Sequence, residues 1–141
     1  MRCLPGALLS LLQLFSIFYV ACVLLGAPAF NELYSTCTLS LWLSILTGLP
    51  LCIVYRSNSQ VKDFVLEARC ANLLELAAHR AIVGAVLGAW LGAFVIPLDW
   101  DRWWQRYPFP NFVGSACGWL AGLLAAETQW CLRRFRREKL L

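Results

Sequence analysis

Charge is what this 141-residue chain has least of: Asp, Glu, Lys and Arg together make up 14% of it, against roughly a quarter in a soluble domain. With 60% hydrophobic residues, it has too little polar surface to cover a globule in water, so it reads as an integral membrane protein. Histidine is reduced to His79, and the cysteines (Cys3, Cys22, Cys37, Cys52, Cys70, Cys117 and Cys131) stand singly with no C-x-x-C pair. This argues against a zinc or redox centre. At least five of the thiols lie in or at the ends of apolar runs, where a free thiol behaves as a small hydrophobe, and His79 beside Arg80 fits a polar position at a helix entrance. The chain also lacks a Ser/His/Asp set, a G-x-S-x-G elbow and a phosphate-cradling glycine loop. No cofactor is expected.

Long apolar runs are present instead. A helix rises about 1.5 Å per residue and must cross about 30 Å of hydrocarbon, so a span needs about 20 apolar residues. Four stretches qualify, at about 4–25, 34–55, 81–98 and 112–132. The expected fold is an all-α integral membrane protein of about four transmembrane helices, forming one polytopic domain over residues 1–141. The segment from Arg56 to Arg80 is too short to bury a core of its own. Within it, Val61 to His79 mixes apolar and charged residues as a helix lying on the cytosolic surface would. Arg2, the first apolar run and Ala27-Pro28-Ala29 imitate a signal peptide, but the run exceeds the usual h-region of about 7 to 15 residues. A retained helix is the expectation.

If all four stretches span, ten of the twelve basic residues fall on one side and only Arg102 and Arg106 on the other. The positive-inside rule then places both termini in the cytosol. The basic cluster from Arg133 to Lys139 adjoins a membrane helix, which favours contact with lipid headgroups over nucleic acid.

The third and fourth stretches share a pattern that the first two lack. Gly84, Gly88 and Gly92 fall four apart, as do Gly114, Gly118 and Gly122. Glycine inside a helix costs about 1 kcal/mol relative to alanine in water, so two triplets call for a reason. In lipid that reason is close backbone approach, because helices gain no hydrophobic drive to associate there. These six residues predict a tightly packed helix pair, made with each other or with a partner.

Between the triplets lies IPLDWDRWWQRYPFP, Ile96 to Pro110. Asp99-Trp100-Asp101 has the D-x-D form that can hold a divalent metal through hard oxygen ligands, though no nucleotide-binding fold surrounds it. A structural reading uses more of the connector. Pro97, Pro108 and Pro110 restrict the backbone, Trp100, Trp103, Trp104 and Tyr107 suit headgroup depth, and Asp99 and Asp101 lie within reach of Arg102 and Arg106.

The run from Gly88 to Trp119 resembles the C-terminal signature of the PIG-F family of glycosylphosphatidylinositol (GPI) anchor biosynthesis, a glycine-rich helix ending in I-P-L-D-W-[DE]-R-P-W-Q-x-W-P. Ile96, Pro97, Leu98, Asp99, Trp100, Asp101, Arg102, Trp104, Gln105 and Pro108 match it, while Trp103 and Tyr107 depart from it. The likeness is strongest over 84–122, and Leu24 to Pro28 and Leu49-Pro50 also resemble family positions. Members usually have about six membrane helices, of which this chain offers the last four. The resemblance implies a non-catalytic, multi-pass subunit of the endoplasmic reticulum membrane. Its partners would be PIG-O-like and PIG-G-like ethanolamine-phosphate transferases, together with membrane lipids and no nucleic acid. Asp99, Trp100, Asp101, Arg102, Trp104 and Gln105 would then form a lumenal motif. The alternative is a membrane-embedded transferase in which Asp99 and Asp101 bind metal. A transporter would need more intramembrane polarity than Gln13, Ser40, Ser44, Thr47 and Glu127 supply.

Overall fold

A computed structural model describes residues 4–27, 32–57, 72–98 and 102–138. Within them lie helices α1 (Leu4–Leu24), α2 (Leu33–Ser57), α3 (Leu73–Ala93) and α4 (Phe109–Glu138), and a 3-10 turn at Trp103–Gln105. Among the described residues, three stretches are long and apolar enough to cross a bilayer, at Leu33–Val54, Leu73–Ala93 and Phe109–Phe135, and Leu8–Leu24 is a shorter apolar helix. The fold is all-helical and of membrane type.

Helix limits follow backbone hydrogen bonding rather than hydropathy. α3 starts at Leu73 rather than near Ala81 because Glu75, His79 and Arg80 interrupt the apolar run without interrupting the helix; already at Leu76 the N–H donates to the Asn72 carbonyl at 3.1 Å. At its other end α3 stops at Ala93, and the chain tightens into i→i−3 bonds, from Phe94 to Leu91, Val95 to Gly92, Ile96 to Ala93 and Leu98 to Val95. Pro97 has no N–H to add to that series. Of the surface helix expected from Val61 to His79, residues 61–71 lie outside the described residues, and its last turns belong to α3.

α3 and α4 run antiparallel in the most extensive contact of the bundle, with α2 against both and α1 against α2. The interior holds small residues. Ala81, Ala85 and Ala126 are buried, together with the hydroxyls of Thr36, Ser40, Ser44, Thr47 and Ser115, all at most 1% exposed. Leu87, Leu91, Leu120 and Leu124 point outward. This suits a lipid solvent, in which a leucine is as well placed outside as inside while small groups let backbones approach. The hydroxyls of α2 bond their own helix one turn back, Ser40 to Thr36 O at 2.8 Å, Ser44 to Ser40 O at 2.6 Å and Thr47 to Leu43 O at 2.8 Å. The stripe is therefore satisfied without water. Leu39, Leu43 and Ala89 form a small apolar core, against which Phe18, Cys22, Tyr107 and Phe112 pack.

Candidate functional site: the hairpin of α3 and α4

The two glycine triplets meet each other. Gly84 faces Gly118 and Gly88 faces Gly114, while Gly92 faces Pro110 and Asn111, and Gly122 faces Arg80 and Ala81. A Cβ placed on Gly88 would come within 2.8 Å of the Gly114 carbonyl carbon, and one on Gly118 within 2.9 Å of the Gly84 carbonyl carbon. Backbone fills the space of a side chain along the whole seam. Of the two possibilities that the glycine spacing left open, the triplets use each other.

The connector is tied back onto α3 by Gln105, which is buried. Its Nε2 donates to the carbonyls of Val95 at 3.1 Å and Leu98 at 2.6 Å, and its Oε1 accepts from the Arg102 N–H at 2.9 Å. The amide thus gives the Leu98 carbonyl a partner and the Val95 carbonyl, which already accepts from the Leu98 N–H, a second one, using both of its donors. Arg102 and Arg106 are exposed, Trp104 is half-buried, and Trp103 stacks at a tilt on Phe109 with ring centroids 5.6 Å apart. Asp99, Trp100 and Asp101 lie outside the described residues. Among the described residues, no group of three or more His, Cys, Asp or Glu side chains is placed to hold a metal ion.

A second set of contacts joins the hairpin to α2. Tyr107 donates its hydroxyl to Thr36 Oγ1 at 3.3 Å, and the Trp42 indole N–H donates to Ser115 Oγ at 3.0 Å. Trp42 also meets Phe112 edge-on at 5.9 Å. Within the hairpin itself, Asn111 Nδ2 of α4 donates to the Ala89 carbonyl of α3 at 3.3 Å. Burial raises the phenol of Tyr107 above its ordinary value, and its hydrogen bond with Thr36 opposes that shift. Sequence reasoning had singled out none of these five polar residues as a site. A usable signal was the spacing of Thr36, Ser40, Ser44 and Thr47, which puts four hydroxyls on one face of α2.

With this geometry in hand, the family can be read directly. The model of the GPI biosynthesis protein family Pig-F matches residues 1–127. The chain belongs to the PIG-F family. Among curated relatives, glycosylphosphatidylinositol anchor biosynthesis protein 11 of Debaryomyces hansenii is 38% identical over 128 residues, covering 86% of this chain and 52% of that protein. The protein of the same name from Yarrowia lipolytica is 38% identical over 103 residues, covering 72% of this chain and 44% of that protein. The GPI ethanolamine phosphate transferase, stabilizing subunit, of Mus musculus is 32% identical over 125 residues, covering 88% and 55%. This PIG-F chain spans about half the length of these relatives. No solved structure matches it. The matched residues 1–127 include the glycine seam between α3 and α4 and the Gln105 clasp.

Proposed function

We propose that this chain is a non-catalytic membrane subunit that stabilises GPI ethanolamine-phosphate transferases and so supports addition of phosphoethanolamine to mannoses of the GPI precursor. The observation that carries the reading is the 88% of the chain that aligns with a relative named as the stabilizing subunit of such a transferase. The hairpin supports it as well. Its glycines are consumed within the chain, so the bundle is a preformed unit, and the partner meets its outer faces and the connector. Preorganisation of this kind lowers the cost of association.

The bundle sits in the endoplasmic reticulum membrane with both termini cytosolic. In support, Arg80, Arg133 and Arg134 lie at one end of the hairpin and Arg102, Trp103, Trp104 and Arg106 at the other. The partners are PIG-O-like and PIG-G-like catalytic subunits, and Asp99, Trp100, Asp101, Arg102, Trp104 and Gln105 form the lumenal motif of the chain.

Affinity purification of the full chain in mild detergent, followed by mass spectrometry, tests the proposal. An ethanolamine-phosphate transferase should co-purify; recovery of no GPI-pathway protein overturns the reading. Asp99→Asn with Asp101→Asn separates it from an intrinsic transferase, because a metal-binding dyad would lose turnover while the complex stayed assembled.

A further inference from the structure

A groove of about 560 Å³, lined by no residue of α2, runs between α3 and α4 beside Trp104. Gly88 and Gly114 belong to its floor, and Leu91, Val95, Phe109 and Val113 line it. From Phe109 near the connector to Ala121 it covers thirteen residues of α4, about 18 Å of helix. That is close to the depth of one leaflet, about 15 Å of hydrocarbon. Trp104 lines the connector end of the groove, and the turn that carries it, Trp103–Gln105, is flanked by two exposed cations, Arg102 and Arg106. We propose that this groove holds one acyl chain of a membrane glycerophospholipid, whose phosphate rests against Arg102 and Arg106.

Size and charge both select this occupant. A single chain is narrow enough, and 560 Å³ lies inside the range of about 300 to 1,000 Å³ usual for bound small molecules. The groove interior is apolar and the cations are confined to the end at headgroup depth, so the polarity runs in the same direction as in a phospholipid. Guanidinium groups favour phosphate geometry. The inference rests on the groove and its mouth, and is independent of which protein the bundle stabilises.

Native mass spectrometry of the full chain in mild detergent tests it. The wild type should carry one phospholipid adduct. Ala121→Phe, which fills the exposed far end without entering the glycine seam, should abolish it, and Arg102→Gln with Arg106→Gln should lower occupancy by about tenfold or more, a basic side chain near a lipid surface being worth roughly a factor of five. An adduct that persists in Ala121→Phe, or a wild type with none, overturns the proposal. A second measurement needs no variant. A phospholipid with a photoactivatable acyl chain, added to membranes holding the wild-type chain, should label the peptides carrying Leu91 and Cys117. Labelling elsewhere only, or capture of a protein by a cross-linker on the exposed Cys117 thiol with no lipid labelling there, rejects the acyl-chain occupant in favour of a partner helix.

Discussion

Gly88 and Gly114 stand face to face across the α3–α4 seam, each occupying the space that a methyl group on the other would fill. Neither backbone can yield without moving a whole helix. Gly88→Ala should therefore destabilise the bundle by about 1 to 3 kcal/mol, the usual cost of overpacking, although alanine is the better helix former by about 1 kcal/mol. Thermal unfolding in detergent checks the sign: a rise in midpoint would mean that the seam is slack.

A second expectation concerns the clasp. Gln105→Glu would put a carboxylate oxygen where an amide donates to the Val95 and Leu98 carbonyls. Leaving buried polar partners unmatched costs roughly 1 to 3 kcal/mol, more when a charge is involved. Proteolysis of the connector should accelerate more in Gln105→Glu than in Arg106→Gln, where only an exposed side chain is altered.

Much of this was legible in the residues before any coordinates. Apolar run length announces the helices, because a span must be about 20 residues long, and the spacing of Gly84, Gly88, Gly92, Gly114, Gly118 and Gly122 announces close approach. Which surface the glycines meet was not legible, since period four describes one helix and says nothing of its neighbour. The start of α3 was hidden for a related reason. Hydropathy reports what surrounds a residue, whereas Glu75 and Arg80 keep helical backbone bonds whatever surrounds them. Gln105 stood inside a recognised motif, but its use as a clasp depends on α3 ending at Ala93, which brings the Val95 and Leu98 carbonyls within its reach. Thr36 and Tyr107 lie 71 positions apart, and no local pattern links them.

The contact between α2 and the hairpin can be weighed separately. A double-mutant cycle on Trp42→Phe and Ser115→Ala should give a coupling near 0.6 kcal/mol and not above about 1.7, the span seen for hydrogen bonds between helices in lipid. A coupling of zero would mean that the indole N–H and Ser115 Oγ, 3.0 Å apart, add nothing to association of α2.

Tyr107 predicts an alkaline sensitivity. Its phenol is held above the ordinary value of 10.0, chiefly by burial, so folding favours the neutral form. The stability this contributes is fully present below pH 10 and is lost as pH rises through the higher value of the folded state. Unfolding midpoints measured at increasing alkalinity should fall, and Tyr107→Phe should flatten that part of the curve. Identical curves for the two proteins would reject the assignment.

α4 runs without a break from Phe109 to Glu138. Its stretch from Phe109 to Arg133 is about 36 Å long, slightly more than a typical hydrocarbon core, with aromatic rings at one limit and guanidinium groups at the other. The hairpin is therefore a rigid gauge of bilayer thickness. Because α3 is locked to α4 by backbone contact, the pair cannot shorten by sliding, and a mismatched membrane must thin, thicken or let the whole hairpin lean, at a cost of fractions of a kcal/mol per Å.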